Sequence, residues 1–99
     1  MASKYPNLFS PLRIGNVTVK NRVVSGPMNT AYTSIDGTLT PRQAAYYMER
    51  VRGGVGMMII EAAALDWPYG KGGRRQPRFN DPCVTPDWAD FLQPAHSYG

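Results

Sequence analysis

The 99 residues of this chain are enough for one domain, and their 42% hydrophobic and 18% charged content is typical of a globular protein rather than a disordered one. Eleven Lys and Arg against seven Asp and Glu give a net charge of +4, which suits an anionic ligand but falls well short of a nucleic-acid-binding composition. A single cysteine, Cys83, excludes an intramolecular disulfide framework and a cysteine-based zinc site, and a single histidine, His96, leaves no histidine pair for a metal.

No segment has the pattern of a membrane span or a secretory signal. The longest apolar stretch is interrupted by Gly56 and Glu61. The N-terminal sequence MASKYPNLFSP has no apolar core of seven residues. We therefore expect a soluble protein in the reducing cytoplasm.

Three short strands are predicted first. Residues 12–14 and 17–19 are β-prone runs on either side of Gly15-Asn16, and this pattern is typical of a hairpin with a type I′ or II′ turn. Residues 23–25 are rich in β-branched side chains and predict a third, buried strand. It ends at Gly26-Pro27, because proline has no N–H to donate to a sheet.

The first helix is predicted from clear start and end signals. A polar loop, residues 29–39, precedes it and contains the turn pair Asp36-Gly37. Thr40 suits the N-cap and Pro41 the first helical position. Apolar residues recur at helical spacing until Gly53-Gly54, which is typical of a helix C-terminus.

The second half of the chain begins with residues 55–60, whose apolar character on both faces is typical of a fully buried parallel strand covered by helices. Strand, helix and strand in this order make residues 22–61 a βαβ unit. The loop 66–84 is long, and such loops are usually functional or mobile. Thr85-Pro86-Asp87 predicts a second helix capped by Thr85, which Pro94 should kink or end early.

Two parallel strands leave ladder edges that a stable domain covers, and no internal repeat supplies further strands. We therefore expect this chain to be the opening quarter of a larger protein. Its short motifs are specific enough to compare with a known family. In chain order they are Leu8-Phe9-Ser10-Pro11-Leu12-Arg13-Ile14-Gly15, Lys20-Asn21-Arg22, Gly26-Pro27-Met28, Asp36-Gly37-Thr38-Leu39-Thr40, Tyr46-Tyr47-Met48-Glu49-Arg50, Gly53-Gly54-Val55-Gly56 and Ile59-Ile60-Glu61-Ala62.

In order and spacing these motifs resemble the old yellow enzyme family of NADH:flavin oxidoreductases, over about residues 7–99. The resemblance implies an α/β fold, a (β/α)8 TIM barrel with FMN at the carboxyl ends of its strands, and such barrels need roughly 250 residues. Residues 1–99 would be an N-terminal fragment of this FMN-binding domain, incomplete on its own. They would supply the hairpin, the first two barrel strands and the first two helices.

The resemblance also implies a reaction. NAD(P)H reduces FMN, and the flavin then passes hydride to an activated alkene such as an enone or an enoyl thioester. The partners would be this small-molecule substrate and the remainder of the barrel, with no nucleic acid and no membrane, and an oligomer stays open. The acid–base residues and the flavin phosphate site would lie beyond Gly99, so no catalytic residue is expected within this chain.

The resemblance places cofactor contacts at the carboxyl ends of two strands. Gly26, Pro27 and Met28 would pack beside the isoalloxazine ring. Asn29 would lie near flavin O4 and N5, where relatives often have Thr or Cys, and the backbone amide of Ala62 would approach O4. An asparagine amide donates the hydrogen bonds that tune a flavin's potential. From the residues alone, Gly26-Pro27-Met28 is more simply a strand terminator with methionine as core filler.

Four other side chains carry chemistry that the motifs do not assign. Tyr32 resembles a substrate-contacting tyrosine of some relatives, displaced by one position. Glu61 ends an apolar strand and is either a general base or, as we favour, a structural acid satisfied by neighbouring donors. His96 is expected to be a surface or packing residue, and Cys83 a loop residue with no base nearby in sequence.

The basic run from Lys71 to Arg78 supports an alternative from another functional class. In that alternative the chain is a small basic α/β binding module that engages an anionic partner through the 66–84 loop. An anionic substrate such as a CoA thioester, passing the mouth of the barrel, is an intermediate interpretation. A solvated loop is the simplest one.

Overall fold

In the computed structural model, which describes residues 4–73 and 75–99, three short strands precede the first helix and a fourth lies between the two long helices. Both long helices have 12 residues, and over the described ranges no helix combines the length and apolarity that crossing a bilayer takes. In chain order the elements are β1 (Leu12–Ile14), β2 (Val17–Val19), β3 (Val24–Ser25), α1 (Pro41–Arg52), β4 (Met57–Met58), a 3-10 turn (Pro82–Val84) and α2 (Thr85–His96).

β1 and β2 form the predicted antiparallel hairpin. Leu12 lies opposite Val19 and Ile14 lies opposite Val17. Gly15 between them has φ 59°, the left-handed backbone that a tight hairpin turn requires and that glycine adopts without a Cβ clash. The prediction of a hairpin at this position is confirmed.

β3 and β4 pair in parallel, with Val24 beside Met57 and Ser25 beside Met58. Because α1 connects them, the predicted βαβ unit is confirmed. The strand predicted over residues 55–60 contributes only two residues to the ladder. Within the described part of the chain these two strands pair only with each other, so the ladder is short.

Neither β3 nor the apolar run around β4 is buried as predicted, and Val24 in β3 is 49% exposed. Met58 and Ile60 pack against the core between the helices. Ile59 points to the opposite face of the pleat and is 42% exposed. One face of the strand is therefore covered by helices, and the other is left open by the described residues.

The predicted boundaries of α1 are confirmed. The Thr40 hydroxyl accepts a hydrogen bond from the Gln43 N–H at 3.1 Å, as an N-cap does. At the other end, the Gly53 N–H donates to the Glu49 carbonyl at 3.0 Å. Gly54 then has φ 101° and turns the chain out of the helix.

α2 begins differently from the prediction, and Thr85 is its first residue rather than its N-cap. The 3-10 turn already holds Val84 in a helical conformation, so the chain enters α2 without a side-chain cap. Asp81 caps the turn instead, because its carboxylate accepts from the Cys83 N–H at 2.9 Å. Pro94 does not end α2, which continues two residues beyond it. Pro94 has no N–H for the Asp90 carbonyl, but only two residues of α2 follow it.

α1 and α2 enclose a small aromatic core. The ring centroids of Trp88 and Phe91 are 6.1 Å apart with an interplanar angle of 88°, and Tyr47 from α1 lies 6.1 Å from Phe91. Val84 and Ala95 complete the buried cluster. Since aromatic side chains contribute most of the buried area in such a core, this contact fixes α1 relative to α2.

The stability of the loop before α1 is expected to depend on pH through Asp36. Its carboxylate accepts three hydrogen bonds. The donors are the Ser34 hydroxyl, the Thr38 hydroxyl at 2.7 Å and the Thr38 N–H at 3.2 Å. They lower the pKa of Asp36 from 3.8 to about 2. A lowered folded-state pKa gives stability that is present above pH 3.8 and is lost as the pH falls through about 2. The protection factor of the Thr38 amide, which compares its exchange with that of an unstructured peptide at the same pH, should therefore fall over this interval. Asp36→Asn should remove this fall, and a protection factor that stays constant in the wild type would contradict the assignment.

Candidate functional site

The carboxyl ends of β3 and β4 lie at one edge, because the strands are parallel and in register. The segments leaving this edge are residues 26–30 and 59–62. The residues predicted to contact a cofactor all lie on these two segments. All of them are exposed: Gly26, Pro27, Met28, Asn29 and Ala62. The structure therefore brings the predicted positions to the same edge of the sheet.

Two of these residues offer hydrogen-bond donors that nothing else uses. Among the described residues, neither the side-chain amide of Asn29 nor its backbone N–H has a hydrogen-bond partner, and the same is true of the Ala62 N–H. The Ala62 carbonyl accepts from Gln76 Nε2 at 2.9 Å, which holds the backbone at Ala62 in place. The edge therefore presents unpaired donors to solvent, and the backbone that carries one of them, at Ala62, is held in place.

The backbone beside these donors is open to close approach. A Cβ added at Gly26 would meet no atom within 4 Å, and Met28 is 56% exposed although it is apolar. Free amide donors, an open glycine and a polarisable methionine suit a flat ring with carbonyl and imine acceptors along one edge. Isoalloxazine is such a ring, so the donor chemistry of these residues fits FMN.

Glu61 lies just inside this edge and is 3% exposed. Its Oε1 accepts from Thr30 Oγ1, Gln43 Nε2 and Tyr47 OH, each at 2.7 Å. Its Oε2 accepts from the Thr30 N–H at 3.2 Å. Since neighbouring donors occupy the buried carboxylate, the geometry agrees with a structural acid and gives no support to a general base. Sequence reasoning missed the roles of Thr30, Gln43 and Tyr47.

Tyr32 packs against α1. Its ring meets that of Tyr46 edge-on at 5.9 Å, and the Arg42 guanidinium lies 4.0 Å from its centroid. Ala31 before it has φ 58°, an uncommon conformation for a residue other than glycine that no sequence signal indicated. Contact of Tyr32 with a substrate stays a prediction.

The basic loop is partly tied to the rest of the chain. Lys71 Nζ and the Arg78 guanidinium lie 4.8 and 5.8 Å from the centroid of the Trp67 ring. Arg75 Nη1 donates to the Thr33 carbonyl at 3.2 Å. Arg74 lies outside the described residues. Most described residues of the loop between residues 68 and 75 are exposed, as expected of a solvated loop, and Arg75 is the cation that ties it to a residue outside the loop.

The two other side chains considered from the sequence lie on α2 and on the 3-10 turn that precedes it. His96 is the last residue of α2 and is exposed. Cys83 is an exposed free thiol, and it lies in the 3-10 turn rather than in an irregular loop. Its sulfur accepts a weak hydrogen bond from Arg78 Nη2 at 3.4 Å.

Comparison with known proteins points to the same family. The sequence model of the NADH:flavin oxidoreductase / NADH oxidase family matches residues 7–99. The chain is 41% identical over 95 residues to the NADH oxidase of Thermoanaerobacter brockii, and the match covers 96% of this chain and 15% of that protein.

Solved structures agree. The old yellow enzyme homologue from Zymomonas mobilis superposes with a TM-score of 0.81 and 30% identity, over 95% of this chain and 26% of that one. A 2-naphthoyl-CoA reductase in complex with 2-naphthoyl-CoA superposes with a TM-score of 0.90 and 26% identity, over 96% of this chain and 14% of that one. The chain thus spans no more than 26% of the length of any of these three proteins.

Proposed function

This chain belongs to the NADH:flavin oxidoreductase / NADH oxidase family, and on that premise we propose that it forms one segment of an FMN-dependent enzyme that reduces activated alkenes with NAD(P)H. Its fold is that of a segment of the TIM barrel of old yellow enzymes. In this proposal residues 1–99 are the N-terminal part of the FMN-binding domain and work in the cytoplasm. The remainder of the barrel is their main partner, and an oligomer is compatible with the arrangement.

The free donors at the ends of β3 and β4 are the observation that carries the proposal. The Asn29 amide and the Ala62 N–H would bind flavin O4 and N5, and Gly26 would let the ring approach the backbone. Pro27 and Met28 would exclude water from the adjoining ring surface. When bound, FMN would supply the hydride transfer between NAD(P)H and the alkene.

The substrate class follows from hydride chemistry. Enones and enoyl thioesters conjugate a C=C bond with a carbonyl, so hydride is accepted at the carbon far from that carbonyl and a proton completes the reduction. One solved relative is named as a reductase of an aromatic CoA thioester, which supports the thioester branch of this class. Within residues 1–99 no side chain is assigned the proton-transfer step.

The proposal is tested in an assembled barrel, meaning a protein in which residues 1–99 replace the matching segment of the Thermoanaerobacter brockii NADH oxidase. We expect it to bind FMN and to be reduced by NADH or NADPH. Under anaerobic conditions an enone or an enoyl thioester should then reoxidise it. Absence of FMN would overturn the whole proposal. Reduction without reoxidation by any such alkene would overturn the substrate class alone.

The 99-residue chain alone is expected to bind FMN weakly or not at all. The flavin phosphate site of these barrels forms after the seventh and eighth strands, and the described residues provide one parallel pair. Isothermal titration calorimetry measures this affinity directly, with the assembled barrel as the positive control. A sub-micromolar Kd for the chain alone would show that its own residues suffice.

A further inference from the structure

The two segments that leave the sheet edge are joined by the carboxylate of Glu61. On one side, Thr30 donates to it twice, from its hydroxyl to Oε1 at 2.7 Å and from its N–H to Oε2 at 3.2 Å. Thr30 directly follows Asn29 in the chain. This pair of bonds therefore fixes the backbone next to the free Asn29 amide.

On the other side, Tyr47 fixes the backbone next to Ala62. Its hydroxyl donates to Glu61 Oε1 at 2.7 Å and accepts from the Glu61 N–H at 3.1 Å. Burial raises the pKa of Tyr47, so the phenol stays a neutral donor. Because both the side chain and the N–H of Glu61 are held by one hydroxyl, the following N–H, that of Ala62, has a defined position.

Gln43 is the third residue that donates to this carboxylate; it lies on the buried face of α1 and has a fully buried side chain. Its Oε1 is buried and has no hydrogen-bond partner among residues 4–73 and 75–99, so the amide is held by its bond to Glu61 rather than by both of its ends. The carboxylate thus connects three elements: α1, the segment after β3 and the segment after β4.

We propose that Glu61 is a positioning residue for the flavin, because its carboxylate links the segment that carries the Asn29 amide to the segment that carries the Ala62 N–H and so sets the distance between the two donors. The inference rests on the proposed function, since it concerns the same edge. Glu61 itself does not touch the ring. It acts through Thr30 on one segment and through its own backbone on the other.

Two substitutions test separately the link from Glu61 to Thr30 and the link from Glu61 to Tyr47. Glu61→Gln keeps the volume but replaces one oxygen by an NH₂ group. At the Oε1 position the NH₂ group would face three other donors, so we expect it at the Oε2 position. There it faces only one donor, the Thr30 N–H. The Asn29 segment should therefore loosen most. Tyr47→Phe removes the partner of the Glu61 N–H and should loosen the Ala62 segment most.

The test measures flavin midpoint potential and amide hydrogen exchange in the FMN-loaded assembled barrel. In Glu61→Gln we expect a lowered midpoint and faster exchange at Thr30. In Tyr47→Phe we expect the Ala62 N–H to lose roughly tenfold or more of its flavin-induced protection, as for the loss of one hydrogen bond to a polarised group. Tyr46→Phe is the matched control, because no hydrogen bond of its hydroxyl is found within the described residues. Thr30→Ser keeps both donors and should behave as wild type.

The outcomes distinguish a failure of this inference from a failure of the proposed function on which it rests. If the wild-type barrel fails to bind FMN, the proposed function falls and this inference falls with it. If FMN binds and both variants fold, but midpoint and exchange stay at the values of Tyr46→Phe, Glu61 is only structural. Lower thermal stability without a change in midpoint or exchange likewise makes Glu61 a structural residue. If Glu61→Gln does not fold, Tyr47→Phe decides on its own.

Discussion

Asn29→Ala in the assembled barrel is expected to lower the midpoint potential of bound FMN and to slow its reduction by NAD(P)H. The Asn29 amide is exposed and without a partner among the described residues, so it is available to donate to O4 and N5. Reduction protonates N5 itself but places more negative charge on the ring and its carbonyl oxygens, so a donor at O4 stabilises the reduced form. A hydrogen bond to such a group is worth roughly 1.5–3 kcal/mol, which for a two-electron couple is about 30–65 mV.

Spectroelectrochemical titration measures this shift. FMN content should change little, because the other contacts expected at this edge are backbone or apolar. Asn29→Cys is the informative companion, since a thiol is a weaker donor and should give an intermediate potential. An unchanged midpoint in Asn29→Ala, with flavin still bound, would reduce Asn29 to a turn residue.

Gly56→Ala is expected to destabilise the fold by about 1–3 kcal/mol or more. A Cβ at this position would lie 2.4 Å from the Asn21 carbonyl oxygen and 2.6 Å from Asn21 Oδ1. Asn21 cannot easily move, because its Nδ2 donates to the Gly54 carbonyl at 2.7 Å and its Oδ1 accepts from the Val23 N–H at 3.0 Å. The methyl group would therefore push apart the two segments of the chain that lead into β3 and β4.

Chemical denaturation of the assembled barrel, followed by tryptophan fluorescence, measures this loss. Gly73→Ala is the matched control, because a Cβ there meets no atom of the described residues within 4 Å. Replacing such an open glycine by alanine commonly stabilises a protein by about 0.4–1 kcal/mol. Equal stabilities of the two variants would mean that the close approach at Gly56 places no constraint on the fold.

The parts of the fold that sequence predicts well are those governed by neighbouring residues. The turn at Gly15 and the cap at Thr40 act through backbone geometry within a few positions, and both are found as predicted. The predicted start of α2 is wrong because Asp81-Pro82 and Thr85-Pro86 are two start signals in succession. In the structure the first signal provides the cap: Asp81 caps the 3-10 turn, and this turn leads directly into α2 at Thr85.

The candidate site divides in the same way. The positions at the strand ends follow from strand order, so the edge itself is predictable. The donors to Glu61 are not, because Gln43 and Thr30 lie 18 and 31 positions away in sequence and meet it only through the crossover of α1. The left-handed backbone at Ala31 could not be predicted from the sequence either, since alanine is not typical of such turns.

The segment from Gly26 to Asn29 makes no hydrogen bond to other described residues. The residues immediately before and after it, however, are held by hydrogen bonds. The Ser25 carbonyl accepts from the Ile59 N–H at 3.0 Å before it, and the two bonds from Thr30 to Glu61 follow it. For directed evolution this is a favourable region. A combinatorial library over Met28 and Asn29 would vary the surroundings of the cofactor at little expense to folding, whereas randomising Thr30 would release one end of the segment.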